Sequence, residues 1–304
     1  MSSQSPATAL AAARPLDWLL LTFLASIWGA SFLFIKIAVV DVTPMTLVAL
    51  RLAIAAVVMA LVARALGARL PSDLATWRQF AVIAFVGNLI PFWLITWGEQ
   101  EIDSGLAAIL MATMPLATVL LAHFFTPDDR LTPTKLAGML LGFSGILILV
   151  GWEALTGLGS QALAQLATAF AATCYAVSSV FVRASGLSRI SPLATSTGVL
   201  LVSAALALPL AFLLENPLDL RPSGQSMLAI AALAILSTAL AYQILFRLLA
   251  RNGATFMALN NYLVPLFGVM WGALVLAERP EPRALGALLL IFAGIALSQW
   301  RPRR

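Results

Sequence analysis

Leu16-Asp-Trp-Leu-Leu-Leu-Thr-Phe-Leu-Ala-Ser-Ile-Trp28-Gly-Ala-Ser-Phe-Leu-Phe-Ile-Lys36-Ile-Ala38 carries no charge between Asp17 and Lys36. A hydrocarbon layer about 30 Å thick needs roughly 20 apolar residues in a helix. This stretch meets that length and reads as one membrane span. The same ruler, moved outward along the chain, finds nine more: 44–64, 79–98, 104–124, 133–151, 162–183, 192–214, 227–247, 254–276 and 283–300. The breaks between them combine proline with charge, as at Asp41-Val-Thr-Pro44, Thr126-Pro-Asp-Asp-Arg130, Glu215-Asn-Pro217 and Arg279-Pro-Glu-Pro282. The expected fold is therefore an all-α membrane protein of ten helices.

Composition points the same way. Of 304 residues, 61% are hydrophobic and 10% charged, and the mean hydropathy is +0.97. Soluble domains carry about 25% charged residues, so much of this apolar surface must face lipid. The net charge of +5 does not indicate nucleic acid, because the basic residues sit singly or in pairs at span ends rather than on one basic face. Cys174 is the only cysteine and His123 the only histidine, which leaves no disulfide within the chain and little metal chemistry, so neither cofactor nor metal is expected. Cys174 reads as a small buried residue. The first apolar run is too long for the core of a cleaved signal and reads as a retained anchor, with no soluble domain expected at either end.

Basic residues also orient the chain. With the amino terminus inside, 13 of the 18 lie on the cytoplasmic side and four outside (Lys36, Arg221, Arg279 and Arg283), with Arg51 left within a span. That asymmetry predicts both termini in the cytoplasm, in a bacterial inner membrane. Trp18, Trp77, Trp152 and Trp300 fall at span ends, where aromatic belts form, whereas Trp28, Trp93 and Trp271 do not.

The chain also repeats itself. Trp28 to Lys36 lines up with Tyr175-Ala-Val-Ser-Ser-Val-Phe-Val-Arg183, Pro44 with Pro192, Ala108–Pro115 with Ala258–Pro265, Asp128 with Glu278, and Gly145-Ile with Gly294-Ile. The two units, 16–151 and 162–300, hold five spans each, an odd number that puts the second in the membrane upside down. Inverted repeats place a binding site near the midplane between the halves.

Trp28-Gly29-Ala-Ser-Phe-x-x-x-Lys36, Thr43-Pro44 followed by Arg51, and Gly105-Leu-Ala-Ala through Pro115 resemble the first half of drug/metabolite transporters of the EamA type. Pro265, Leu276-Ala-Glu278-Arg279 and Gly286 to Gly294 resemble its second half, and the likeness covers nearly the whole chain. One departure is the first-half turn, usually Gly-Glu-Arg in that family and Pro127-Asp128-Asp129-Arg130 here. The resemblance implies a gradient-driven exporter of amino acids, similar polar metabolites or drugs, with no ATPase domain.

Ionisable groups inside a bilayer are costly and mark function. Arg51 lies about two turns inside the second span and offers a fork for a substrate carboxylate, or a structural pair with an acid, or a snorkelling contact. Lys36 and Glu99 read as a gate pair or as interfacial anchors. Trp28, Asn88, Trp93, Tyr175, Gln243, Asn260, Asn261 and Tyr262 are expected near the midplane, lining a site or joining helices by hydrogen bonds. The scarcity of buried cations favours a zwitterionic or neutral cargo. His123 offers a proton carrier at a span end, and protons are a candidate coupling ion. Gly138-x-x-x-Gly142 and Gly268-x-x-x-Gly272 read as internal close packing, with the oligomer open between monomer and homodimer. Gly142-Phe-Ser144-Gly145 spells a protease-like motif, but the single histidine precedes it at a helix end, so Ser144 reads as a packing residue and an intramembrane enzyme as the rival to a carrier. A membrane scaffold without transport is the other rival.

Overall fold

Proline at the first helical position opens five of the described helices, which suits a residue with fixed φ and no N–H to leave unpaired. The computed structural model describes residues 14–125, 132–150, 160–187, 190–257 and 259–299. Among these no strand occurs. In chain order the helices are α1 Pro15–Ala38, α2 Pro44–Ala65, α3 Leu74–Gly98, α4 Ser104–Phe125, α5 Pro133–Val150, α6 Ser160–Ala184, α7 Pro192–Leu214, α8 from Gly224–Ala234 to Ala241–Met257, α9 Asn260–Val275 and α10 Pro282–Gln299. Seven of them (α1 to α4 and α6 to α8) are long and apolar enough to cross a membrane. The Pro127–Arg130 turn, Trp152, Trp300, Arg189, the Arg183 side chain and residues 301–304 lie outside the described part.

Several boundaries differ from the sequence reading, and α9 starts at Asn260 rather than 254. α3 begins at Leu74, where Asp73 Oδ1 accepts the Thr76 N–H at 2.8 Å and caps the helix. α8 runs on through Arg251-Asn252 to Met257 rather than ending near 247. Its last turns are held against the start of α1: Arg251 pairs with Asp17 at 3.4 Å, and the buried Phe256 ring meets Trp18 edge-on at 4.9 Å.

Three helices are irregular, each with a chemical reason. Pro115 cannot donate to Met111 and crowds its carbonyl, and α4 is interrupted at Ala112 and Thr113. Pro91 does the same to Gly87 inside a π segment of α3, Ala84–Leu89. α8 has a matching π segment, Ile235–Leu240, where the Thr238 hydroxyl takes the Leu233 carbonyl at 2.8 Å.

Side-chain contacts fix the directions of packing. α2 and α7 run antiparallel, with Thr46 beside Glu215 and Met59 beside Thr197. α4 and α9 do likewise, pairing Ser104 with Gly272 and Ala108 with Gly268, as do α5 and α10, pairing Gly145 with Ala287 and Gly138 with Ser298. α1 and α8 are also antiparallel, Ile37 lying beside Ser226 and Ile27 beside Ser237. The bundle therefore has an Asp17 end, with Arg251, and a Lys36 end, with Asp41, Glu99, Glu215, Ser223 and Glu278. One apolar cluster gathers Ile35, Ile109, Ala171 and Ile291, and a second gathers Leu52, Met59, Phe92 and Leu200. Tyr175 packs against both, so it marks where they meet.

Candidate functional site

At that meeting point lies Arg51, buried on α2. Its Nε donates to Thr238 Oγ1 at 3.1 Å, and its guanidinium lies 3.8 Å from the centre of the Phe92 ring. A cation over an aromatic face is worth on the order of 2 kcal/mol once desolvated. Among the described residues no carboxylate comes within ion-pair distance of it. Phe92 meets the Tyr175 ring edge-on at 6.4 Å. Asn88 Nδ2 donates to Ser203 Oγ at 2.9 Å, and the Tyr242 hydroxyl donates to Asn88 Oδ1 at 3.4 Å. Gln243 Nε2 reaches the Met59 sulfur at 3.4 Å. Trp28 Nε1 donates to the Ser237 carbonyl at 3.1 Å while Ser237 Oγ donates back to the Ile27 carbonyl at 3.0 Å.

Both π segments thus feed this cluster. A wide turn shifts carbonyls and hydroxyls out of the regular ladder. Asn88 comes from the segment in α3, and Ser237 and Thr238 from that in α8. The result is one fixed cation with aromatic faces and polar groups around it, supplied by α1, α2, α3, α6, α7 and α8. Such a set can hold a planar anionic group beside an apolar one.

The sequence candidates divide. Trp28, Arg51, Asn88, Tyr175 and Gln243 lie in or beside this cluster. Trp93 does not: it points outward, 37% exposed, and stacks on Trp97 at 6.5 Å. Asn260 is buried on α9 with an Oδ1 that accepts no hydrogen bond, Asn261 is half-buried, and Tyr262 packs on Phe292 at 5.3 Å. None of these three touches Arg51. Phe92, Thr238, Tyr242 and Ser203 are the cluster members that the sequence reading did not single out. Their one signal was position, since Tyr242 precedes Gln243 and Phe92 precedes Trp93.

The Lys36 end is closed by contacts of a different kind. Lys36 Nζ donates to the backbone carbonyls of Glu99 and Ile102, both at 2.8 Å, so it meets the turn that carries Glu99 rather than the Glu99 carboxylate. Glu278 accepts from Ser104 N, Ser104 Oγ and Gly105 N, each at 2.9 Å, and so caps α4 from the far end of α9. Glu215, at the end of α7, caps α2 in the same manner through Thr43 Oγ1, Met45 N, Thr46 N and Thr46 Oγ1. Asp41 accepts the Ser223 N–H at 2.8 Å, and hydrogen bonds from Ser226 and Ser223 hold its carboxyl below the ordinary range. A cleft of about 160 Å³ opens here beside Gln165, Asp103 and Glu278, and a second lies beside Lys36 and Asp41. Neither is lined by Arg51 or its neighbours.

Elsewhere, Gly138 and Gly142 face Gly294 of α10 within the same chain, and Gly268 faces Gly29 and Ala108. Ser144 Oγ donates to its own helix at the Leu141 carbonyl, and Cys174 is buried as a free thiol. His123 stacks edge-on against Phe124 at 4.9 Å.

An apolar helical bundle with one buried cation among aromatic and polar groups is a build that suits a membrane transporter. The model of the EamA-like transporter family matches residues 16–151 and again 162–300, and the chain belongs to that family. It is 24% identical over 272 residues to the uncharacterized transporter YoaV of Bacillus subtilis (strain 168), covering 90% of this chain and 92% of that one. It is 26% identical over 302 residues to a probable amino-acid metabolite efflux pump of Escherichia coli (strain K12), covering 94% and 96%. A solved crystal structure shares the fold at a TM-score of 0.67 with 23% identity, over 94% of this chain and 98% of that one.

Proposed function

We propose that the chain is a secondary carrier that exports small carboxylate-bearing metabolites, amino acids or related zwitterionic and amphipathic compounds, by alternating access around Arg51. Ten crossings in two inverted five-helix units, 16–151 and 162–300, sit in a bacterial inner membrane with both termini cytoplasmic. The observation that carries this reading is a buried guanidinium with no carboxylate partner among the described residues. Leaving a charge unpaired inside costs several kcal/mol, so a partner from the cargo is the natural complement. The antiparallel pairing of α2 with α7, α4 with α9 and α5 with α10 supports the inverted arrangement, because each pair joins equivalent helices of the two units. So do the π segments at equivalent places in α3 and α8. The Escherichia coli relative's name supports amino-acid metabolites as the cargo class.

Counterflow of a labelled amino-acid panel in proteoliposomes tests this. Arg51→Lys keeps the charge and loses the fork, and Arg51→Gln loses both. Loss of one bidentate charged contact is worth roughly 2–3 kcal/mol, a weakening of about 30- to 150-fold. The apparent affinity should fall in the order wild type, Lys, Gln among proteins that remain folded. Equal affinities in all three would remove Arg51 from the site.

A further inference from the structure

Glu99 is fully buried at the turn after α3, and neither of its carboxylate oxygens accepts a hydrogen bond. The charged groups that face it are Lys36 from α1, Glu278 from the turn after α9, and Arg51 from α2. None of them comes within ion-pair distance. α6 packs on the same turn, with Ala164 and Thr168 against Gly98, and brings no charge. Lys36 is the nearest cation, but its ammonium is committed to the backbone carbonyls of Glu99 and Ile102 and not to the carboxylate. An ionised carboxylate so placed would stand dry and unpaired, at a cost of several kcal/mol. A neutral carboxylic acid bears burial far better, and burial holds the Glu99 carboxyl well above the ordinary carboxylate range.

From this geometry we propose that Glu99 is the group that takes up and releases the proton exchanged for cargo. The proposal rests on the carrier reading above. With the Lys36 end shut, the proton is trapped on the Glu99 carboxyl. When the Lys36 clamp and the Glu278 cap on α4 part, that carboxyl meets water and exchanges its proton with it, with no other bond made or broken. Once ionised, it adds a negative field between Lys36 and Arg51 that an ammonium group on the cargo can satisfy. Proton and cargo then compete for one acid, which is the condition for exchange rather than co-transport.

The test uses the full chain reconstituted in liposomes as wild type, Glu99→Gln and Glu99→Asp. Infrared spectra at neutral pH should show a protonated-carboxyl band in the wild type that Glu99→Gln lacks. A one-unit pH gradient should drive about tenfold accumulation of a labelled amino acid through a one-proton exchange in the wild type. Glu99→Gln should lose that accumulation while keeping gradient-free counterflow, and Glu99→Asp should keep both. A wild type without the band, or a Glu99→Gln protein still driven by the gradient, overturns the proposal. Wild-type counterflow with no gradient effect overturns the coupling alone. A wild type that moves no amino acid in either assay overturns the carrier reading with it. Should Glu99→Gln fail to fold, the wild-type band and the Glu99→Asp pH profile decide, an unmoved profile counting against the proposal.

Discussion

Glu215 shows how one side chain can hold two helices together and make that hold depend on pH. Burial pushes its carboxyl up, but the hydroxyls of Thr43 and Thr46 and the N–H groups of Met45 and Thr46 outweigh that and set it below its ordinary value. An acid depressed in the folded state adds stability that is complete above the unfolded value and lost as pH falls through the folded one. The advantage of the wild type over Glu215→Gln in thermal melts should therefore be constant near neutrality and shrink below pH 4.5, the ordinary value. A difference that stays level into acid would show that the cap is not what the carboxylate contributes. Arg51, Lys36 and Glu99 stood out in the sequence because a charge in or beside an apolar run is costly, although pairing, snorkelling or anchoring at the interface was open for each. Phe92, Thr238 and Tyr242 were not, since an aromatic or hydroxyl residue in such a run is as well suited to packing. Trp93 illustrates the difficulty: each residue advances about 100° around a helix, so Phe92 faces the guanidinium while its neighbour faces outward.

Helix packing at the α5–α10 pair depends on the absence of side chains. Cβ atoms added at Gly138 or Gly294 would overlap the backbone of the opposite helix. In lipid, close approach and dispersion replace the hydrophobic drive that holds soluble helices together. Gly138→Leu should cost about 1–3 kcal/mol or more, as overpacking does, and lower the melting temperature of detergent-solubilised protein. Leu136→Ala, on an exposed side chain of the same helix, is the control and should change little. Equal melting for Gly138→Leu and wild type would mean that the pair does not pack as seen. Helices were legible at this scale from length and charge breaks, and seven of those described are long and apolar enough to cross a membrane. The π segments were not, because a wide turn leaves the apolar pattern intact and depends on where Pro91 and the Thr238 hydroxyl find partners.

The whole molecule differs sharply between its two ends. The described Lys36 end gathers Asp41, Glu99, Glu101, Asp103, Glu215, Asp219, Glu278 and Glu281, with Lys36, Arg221, Arg279 and Arg283 as its cations. Arg64, Arg69 and Arg78 lie toward the other end, with Asp17 and Arg251. Lysine and arginine concentrate on the cytoplasmic side of membrane proteins, and the proposed orientation, with both termini cytoplasmic, puts the Lys36 end outside. In that orientation the caps by Glu215 and Glu278 would close the outer mouth, and the proposed export would require both to break. Inversion makes a sharper demand than orientation. The proposed repeat makes the connections after α2 and after α7 equivalent, so a reporter fused after Gly67 should read cytoplasmic and one fused after Leu218 should read external. Two upright units would place both on one side, and that outcome would dismantle the inverted carrier. Reporters on opposite sides with the assignments exchanged would keep the inversion and reverse the direction in which Glu99 meets its proton.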